Sequence, residues 1–430
     1  MKNKINLKHN KGQAMLVIVL FFIFIFSSFI IVFSAPAIIE FGASKDLLDS
    51  KKSYFLAESG AEDIAYRIKN GQLYDANEVL NIGGSYATTT VVNLSGGEKE
   101  ITSSADFLSS IRKIKINFIT DIGISFNYGV QAGDGGFNME NSSTISGNAY
   151  SNGPVTGANS NLIKGDVVSA DASGLISGIH ATSSAYAHSI TNSTIDRDAY
   201  YYTSFINNTV GGNIYPGSVD KLKAAFPISD SMISEWESAA ASSTINSPCP
   251  YVINGNVLLG PVKISCNLEI KSSAVVNLLG PVWVLGNIEI ENNAILKVDP
   301  ILLNKSVVMI ADNPSNRTTS SKIELENSAQ FQNSGIKGSY IMMVSGNNSA
   351  ELGGGEKAIT IENSVSGDVI LYSNHGEILL KNNVNLREVT AYRIRLQNTA
   401  NVIYETGLAN TVFKSGPGGG YSINKWQETN

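Results

Sequence analysis

The chain is poor in charge, sulfur and imidazole. Only 16% of its 430 residues are Asp, Glu, Lys or Arg, against ~25% in ordinary globular domains. A helical bundle would need more Lys and Glu to cover its surface. A disordered polyampholyte would be charge-rich and apolar-poor, whereas 43% of this chain is apolar. Two cysteines and four histidines leave no material for a finger-type zinc site, and no cofactor is expected. Positive charge is also lacking. The net charge of −6 argues against nucleic acid as a partner. The polar exterior falls to Asn, Ser, Thr and 39 glycines, which favour turns and strands over helices. The length predicts two to three domains.

Residues 1–12 hold four lysines and no acid, and read as a basic leader. The 26 residues from Ala14 to Ile39 then carry no charge. As a helix they span about 39 Å, more than the ~30 Å hydrocarbon core. The basic flank stays cytoplasmic by the positive-inside bias, which puts the bulk of the chain outside the cytoplasm. Three readings of this segment stand side by side. A secretory signal would be cut after Ala37. A plain anchor would stay uncut. A prepilin-type leader would be cut between Gly12 and Gln13 and keep its apolar helix. Residues 43–69 continue with an amphipathic helical stripe that includes Leu48, Phe55, Ala61, Ile64 and Ile68. Asn70 and Gly71 form its stop signal. Residues 13–71 are therefore expected to form one stalk, half in and half out of a membrane, kinked at Pro36.

The run KGQAMLVIVL (11–20) and the segment YFLAESGAEDIA (54–65) resemble type IV pilin-like proteins, specifically PilX-type minor pilins. The resemblance covers about 60 residues. It implies a membrane-anchored subunit processed by prepilin peptidase at Gly12–Gln13, with other pilin-like subunits as partners. Major pilins carry Glu as the fifth mature residue. Here that residue is Val17, which suits a minor subunit at a tip or in a priming complex rather than a repeating shaft subunit.

Residues 72–132 read as a small antiparallel sheet, with a hairpin turn at Gly96 and Gly97. From about residue 133 a heptad recurs. It runs apolar, any, apolar, any, Asn, polar, small. Copies start at 268, 288, 323, 359, 378 and 394, with a weaker one at 137. The spacings of 20, 35, 36, 19 and 16 residues predict a right-handed parallel β-helix, a solenoid, over 133–430. The two wide gaps are read as a further degenerate coil or a loop. Positions one and three point into the core and position two outward. Position five is Asn141, Asn292, Asn327, Asn363, Asn382 and Asn398, expected to stack as a ladder. A helical insertion is predicted near 216–245, covering 218–226 and then Met232 to Ala241 behind a Ser229 cap. The 133–136 run (GDGG) reads as a hinge, 416–420 as a loop, and 421–426 as a closing strand or tail.

Cys249 and Cys266 fit either a disulfide between neighbouring coils or two buried thiols. His180 and His188 have no carboxylate at ligand spacing and read as surface residues. Asp196 and Asp198 flank Arg197 and are read as neutralising it or a turn. Glu58, Glu62 and Asp63 read as solvated helix charges. Glu291, Glu326 and Glu362 repeat at equivalent outward positions. The small Ala57, Gly60 and Ala61 mark close packing, either between stalks or against the chain's own sheet. No acid cluster of the kind a carbohydrate-active enzyme needs is visible, so no enzymatic activity is expected. The favoured reading is a structural subunit of a pilus-like assembly, whose exposed surface meets a partner or a glycan. The alternatives are a surface adhesin outside any filament and a carbohydrate-active enzyme.

Overall fold

The computed structural model describes residues 11–69, 74–94, 99–121, 124–414 and 420–429. The leader up to residue 10, the stop at Asn70 and Gly71, the turn at Gly96 and Gly97, and the loop at 416–419 lie outside the described residues. Helix α1 (Lys11–Lys69) runs for 59 residues, about 88 Å at 1.5 Å per residue. It continues as one helical element through Pro36. Its first part exposes an apolar surface. Its second part buries Leu56, Ala57, Ala61, Ile64 and Ile68.

That face lies on an antiparallel sheet of β1 (Asn77–Ile82), β2 (Ser85–Asn93), β3 (Lys99–Phe107) and β4 (Ser110–Asp121). Ala87, Val91, Ile101, Ile114, Ile116 and Phe118 complete this core. Ser53 Oγ donates to Ala105 O at 2.8 Å and Thr89 Oγ1 to Ser103 Oγ at 3.0 Å, so the buried hydroxyls of the contact are satisfied. Gly60 is the point of closest approach. A Cβ there would meet Ser103 Oγ at 2.6 Å and Ala87 Cβ at 2.9 Å. Ala57, Gly60 and Ala61 thus pack on the chain's own sheet. Leu48 and Phe55 are not part of this face and are 53% and 60% exposed. At about 100° per residue they lie opposite Ala61 and Ile64. The C-terminal strand (Gly420–Thr429) does not close the repeat region. It pairs antiparallel with β4, Trp426 opposite Ile116.

The rest is parallel. The expectation of a right-handed solenoid β-helix is corrected here. Eight strands close into a ring: β5 (Val130–Ala132), β6 (Phe137–Met139), β7 (Ala149–Ser151), β8 (Val155–Gly157), β9 (Val167–Ser169), β10 (Leu175–Ser177), β11 (Ala185–Thr191) and β12 (Glu388–Leu396). The pairing runs β5–β7–β9–β11–β10–β8–β6–β12 and back to β5, parallel throughout. Closure depends on two long strands. β12 pairs with β5 through Val389 to Ala391 and with β6 through Ile394 to Leu396. β11 likewise pairs with β9 through Ala185 to Ala187 and with β10 through Ser189 to Thr191. The fold is a closed eight-stranded parallel barrel with extra strands, beside a helix and an antiparallel sheet.

The heptad still governs which side chains face in. Strands Leu268–Ile270, Ile288–Ile290 and Ile359–Ile361 bury both end residues around a partly exposed middle one. Leu268, Ile288, Ile323, Ile359, Ile378 and Ile394 stand in one register, and Ile394 pairs with Phe137. Copies 35 and 36 residues apart are therefore direct neighbours, and the wide gaps hold no further copy between them. The first copy in sequence abuts the last. The chain leaves the barrel on one side as far as Ile214–Pro216 and resumes at the other extreme with Thr244–Ile245.

The crossing segment is mostly not helical. Only α2 (Asp230–Ala240) forms, capped by Ser229 Oγ accepting from Met232 N. Residues 218–226, predicted as helix, run as an irregular strap instead. Its polar atoms are taken by the barrel: Ala224 N donates to Asn152 Oδ1, and Gln131 Nε2 to Ala225 O, each at 2.8–2.9 Å. Tyr372 Oη donates to Ile228 O at 2.6 Å. These contacts outweigh the helical periodicity. The 133–136 run is no hinge. It is the tight turn from β5 to β6, where a Cβ on Gly136 (φ +68°) would overlap Pro154 O.

Gly60→Val should part helix and sheet at a cost of about 1–3 kcal/mol. Chemical denaturation checks this, with Gly42→Val as a control, since Gly42 faces open space.

Candidate functional site

Two features stand out: the bare surface of α1 and the edge of the barrel where the asparagines gather. Gly12 and Gln13 lie in the first turn of α1. From Met15 to Phe41 nearly every large side chain is exposed. Ser28 Oγ donates to Phe24 O at 2.8 Å and Ser34 Oγ to Ile31 O at 3.2 Å, so these hydroxyls need no water. This is the one helix among the described residues long and apolar enough to cross a membrane. Beyond it, Phe41, Leu48, Phe55 and Tyr66 carry an exposed apolar stripe down the side facing away from the sheet. Of the stalk charges, Asp63 pairs with Arg67 at 3.0 Å and Glu62 is exposed.

The barrel edge carries the asparagine ladder. Asn327 Nδ2 donates to Asn292 Oδ1 at 2.5 Å, Asn363 to Asn327 at 2.7 Å, and Asn382 to Asn363 at 2.8 Å. Asn398 donates to Asn382 at 2.9 Å and Asn141 to Asn398 at 2.8 Å. The chain of amides crosses from the last copy to the first without a break. It extends to Asn159, which donates to Asn141 at 3.0 Å. Sequence reading missed Asn159 because its copy has Gly157 at the second inward position. The adjacent Asn159–Ser160 pair was the available signal. Most of these asparagines sit at positive φ, among them Asn141 (52°), Asn363 (54°) and Asn382 (56°). A left-handed backbone turns each carbonyl along the stack. Ser364 N donates to Asn382 O at 2.9 Å and Thr399 N to Asn141 O at 2.9 Å. Side-chain and backbone bonds thus run in opposite directions along the stack.

Other predicted positions resolve as follows. Cys249 and Cys266 are bonded, with Cα atoms 5.9 Å apart. A crosslink of this loop length contributes on the order of 3 kcal/mol. Each barrel histidine has a carboxylate partner from a neighbouring strand or the strap, which sequence spacing does not reveal. His180 Nε2 lies 3.1 Å from Asp196 Oδ1 and His188 Nδ1 2.8 Å from Asp220 Oδ2. Asp198 instead accepts from Asn213 N at 2.7 Å, fixing a turn. Glu291 and Glu362 are not isolated acids. They pair with Lys271 and Lys381, each at 2.6 Å. No group of metal-ligating side chains gathers among the described residues.

Among the buried carboxyls, none of them predicted, two are held above the usual range. Burial pushes Glu388 well above the usual carboxylate range, and Thr390 Oγ1 donates to it at 2.5 Å. Burial, with Asp312 close by, pushes Glu237 up to about 8. Neither adjoins the ladder or the bare helix face, and their sequence neighbours give no sign of their burial.

No protein-family model matches the sequence, and no curated protein matches it. Among solved structures, the competence-associated pilin ComZ from Thermus thermophilus superposes with a TM-score of 0.31 at 12% identity. The match covers 89% of this chain and 97% of that one. A score of that size falls below that of a shared fold, and at that identity it says nothing of function.

Asn382→Ala should destabilise the barrel by about 2 kcal/mol, through two lost amide bonds and the loss of the polar side chain that lets asparagine tolerate a left-handed backbone. Asn382→Gly should cost less, and equal midpoints in urea would contradict the backbone part of this account. Glu388 holds its proton in the fold, so stability is fullest below pH ~4.5 and falls as pH rises above it. Glu388→Gln should flatten that slope in melts taken between acid and neutral pH.

Proposed function

We propose that this chain is a membrane-anchored, extracytoplasmic structural subunit of pilin type. In this reading it is a PilX-type minor pilin that is cut between Gly12 and Gln13 by prepilin peptidase. It lies in the cytoplasmic membrane with its N-terminus inside, then moves with other pilin-like subunits into a surface filament. The barrel is displayed outward. The role is one of packing rather than chemistry.

The observation that carries the reading is the shape of α1. One uninterrupted helix is bare and apolar at its N-terminal half and docked on a sheet at the other. The Phe41, Leu48, Phe55 and Tyr66 stripe extends the apolar surface past the membrane-length segment, on the side its own sheet leaves open. A lone anchor has no use for that stripe in water. A helix that must pack on neighbouring stalks does. Val17, in place of the shaft subunits' Glu, suits a minor position.

Mass spectrometry of the mature N-terminus from native membranes tests the proposal. A free or methylated Gln13 is expected. An intact Met1 favours a filament-independent surface adhesin, and a start at Ile38 means a secreted protein. Phe55→Ser should leave the thermal melt unchanged within about 0.5 kcal/mol, as surface changes do. It should nonetheless lower recovery of the chain in sheared filament fractions.

A further inference from the structure

The apolar core of the barrel and its extra strands is open at both ends. Thr209–Val210 is the last strand of one parallel sheet, and Asn256–Leu259 is the strand at the opposite end of the same sheet. Tyr201, Phe205 and Val210 at the first end, and Ile245, Tyr251 and Val257 at the second, pack on the core and stay half-exposed. One layer further in, Ile195, Ile264, Leu268 and Val276 are buried. Stacked repeats usually carry a polar cap at each end, and sheet edges are usually blunted by charge or proline. Here residues 199–219 and 238–262 hold no Asp, Glu, Lys, Arg or His. Neither Thr209–Val210 nor Asn256–Leu259 contains a proline.

The two edges also match. Thr209 N donates to Ser193 O, and Gly211 N to Ile195 O, so Val210 turns its own N–H and C=O away from the sheet. At the opposite end Gly255 O accepts from Val275 N and Leu259 O from Leu279 N, so Asn256 and Leu258 turn theirs outward. A parallel ladder bonds the N–H and C=O of one residue to the two residues that flank its partner. Asn256 O and Leu258 N therefore fit a residue placed opposite Val257, and Val210 in that place fills both bonds. The same register sets the Val210 side chain beside that of Val257, and both belong to the core. A slip of one residue would turn one of them out. A copy related by a two-fold axis would need antiparallel pairing, and the end strands of this sheet pair with their own neighbours in parallel.

We infer that the Val210 end docks on the Val257 end of a second copy of this chain, so that copies join head to tail through their barrels. Such a contact is heterologous and leaves a free end after each addition. It goes beyond the structural role proposed above, uses the barrel rather than α1, and holds whether or not the chain enters a filament.

Sedimentation velocity of the full chain in detergent micelles tests the inference, from about 1 to about 100 µM. The mass should rise with concentration past two chains. Val210→Lys and Val257→Lys each put a charge into the contact, and each alone should weaken association by about tenfold or more. Their equimolar mixture should form dimers and stop there, because one intact end of each kind remains. Hydrogen exchange on the unmutated chain is the second readout, because it does not depend on a variant folding. The amides of Val210 and Leu258 should exchange more slowly as concentration rises. No association at the highest concentration, association that either variant alone retains in full, or exchange that does not slow overturns the inference. So does a mixture that stays monomeric although each variant melts like the parent.

Discussion

The pairing of Phe137–Met139 with Ile394–Leu396 is the constraint from which the rest of the barrel follows. It joins residues more than half the chain apart, so the repeats cannot stack in the order in which they are written. The first copy must wait for the last. The chain therefore builds outward from the seam, crosses the whole stack through the strap, and returns. The parallel sheet that runs from Thr209–Val210 at one end to Asn256–Leu259 at the other has twelve strands, about 50 Å at 4.8 Å per strand, which a helix of about 30 residues would barely reach and an extended strap spans with ease. That difference accounts for the single short helix α2 in a segment whose composition suits more. Such non-local closure is expected to make folding slow relative to domains of local contacts.

The asparagine ladder reports on the same seam. Its amides run from Asn292 to Asn159 and pass the junction between Asn398 and Asn141 with no change of spacing. Each amide donates to one neighbouring copy and its Oδ1 accepts from the other, while the backbone carbonyl accepts from the copy the amide donates to. Every asparagine in mid-ladder is thus held by both neighbours, and the turn stays uniform where the chain is not continuous.

The pattern of local demands was legible in the sequence. Alternation placed Ile288 and Ile290 in the core, and asparagine at the fifth heptad position marked a left-handed turn. The apolar run and its amphipathic extension gave α1. What the heptad does not encode is which copy lies next to which. Pairing depends on strand length at β11 and β12 and on the path between copies, and neither has a period. The Leu48 and Phe55 stripe was real, but it was assigned to the wrong side of the helix. Apolar residues on both faces blur a single period, and burial of Asp49 and Ser53 on the packed face hides it further. The partners of His180 and His188 and the stacking of Tyr186 on Tyr200 and Tyr200 on Tyr215 arise from register between strands, which single-chain spacing does not show. The disulfide pairing was one of two readings left open, because proximity across neighbouring strands depends on that register too.

The C-terminal strand has a mechanical consequence. It lies antiparallel beside β4, so the chain enters the barrel from β4 and comes back from it through this neighbour. Ile124 and Thr411 continue the pairing across the junction. A pull on the barrel away from the stalk therefore loads two covalent connections side by side. Load on the C-terminal strand reaches the stalk sheet through its hydrogen bonds to β4.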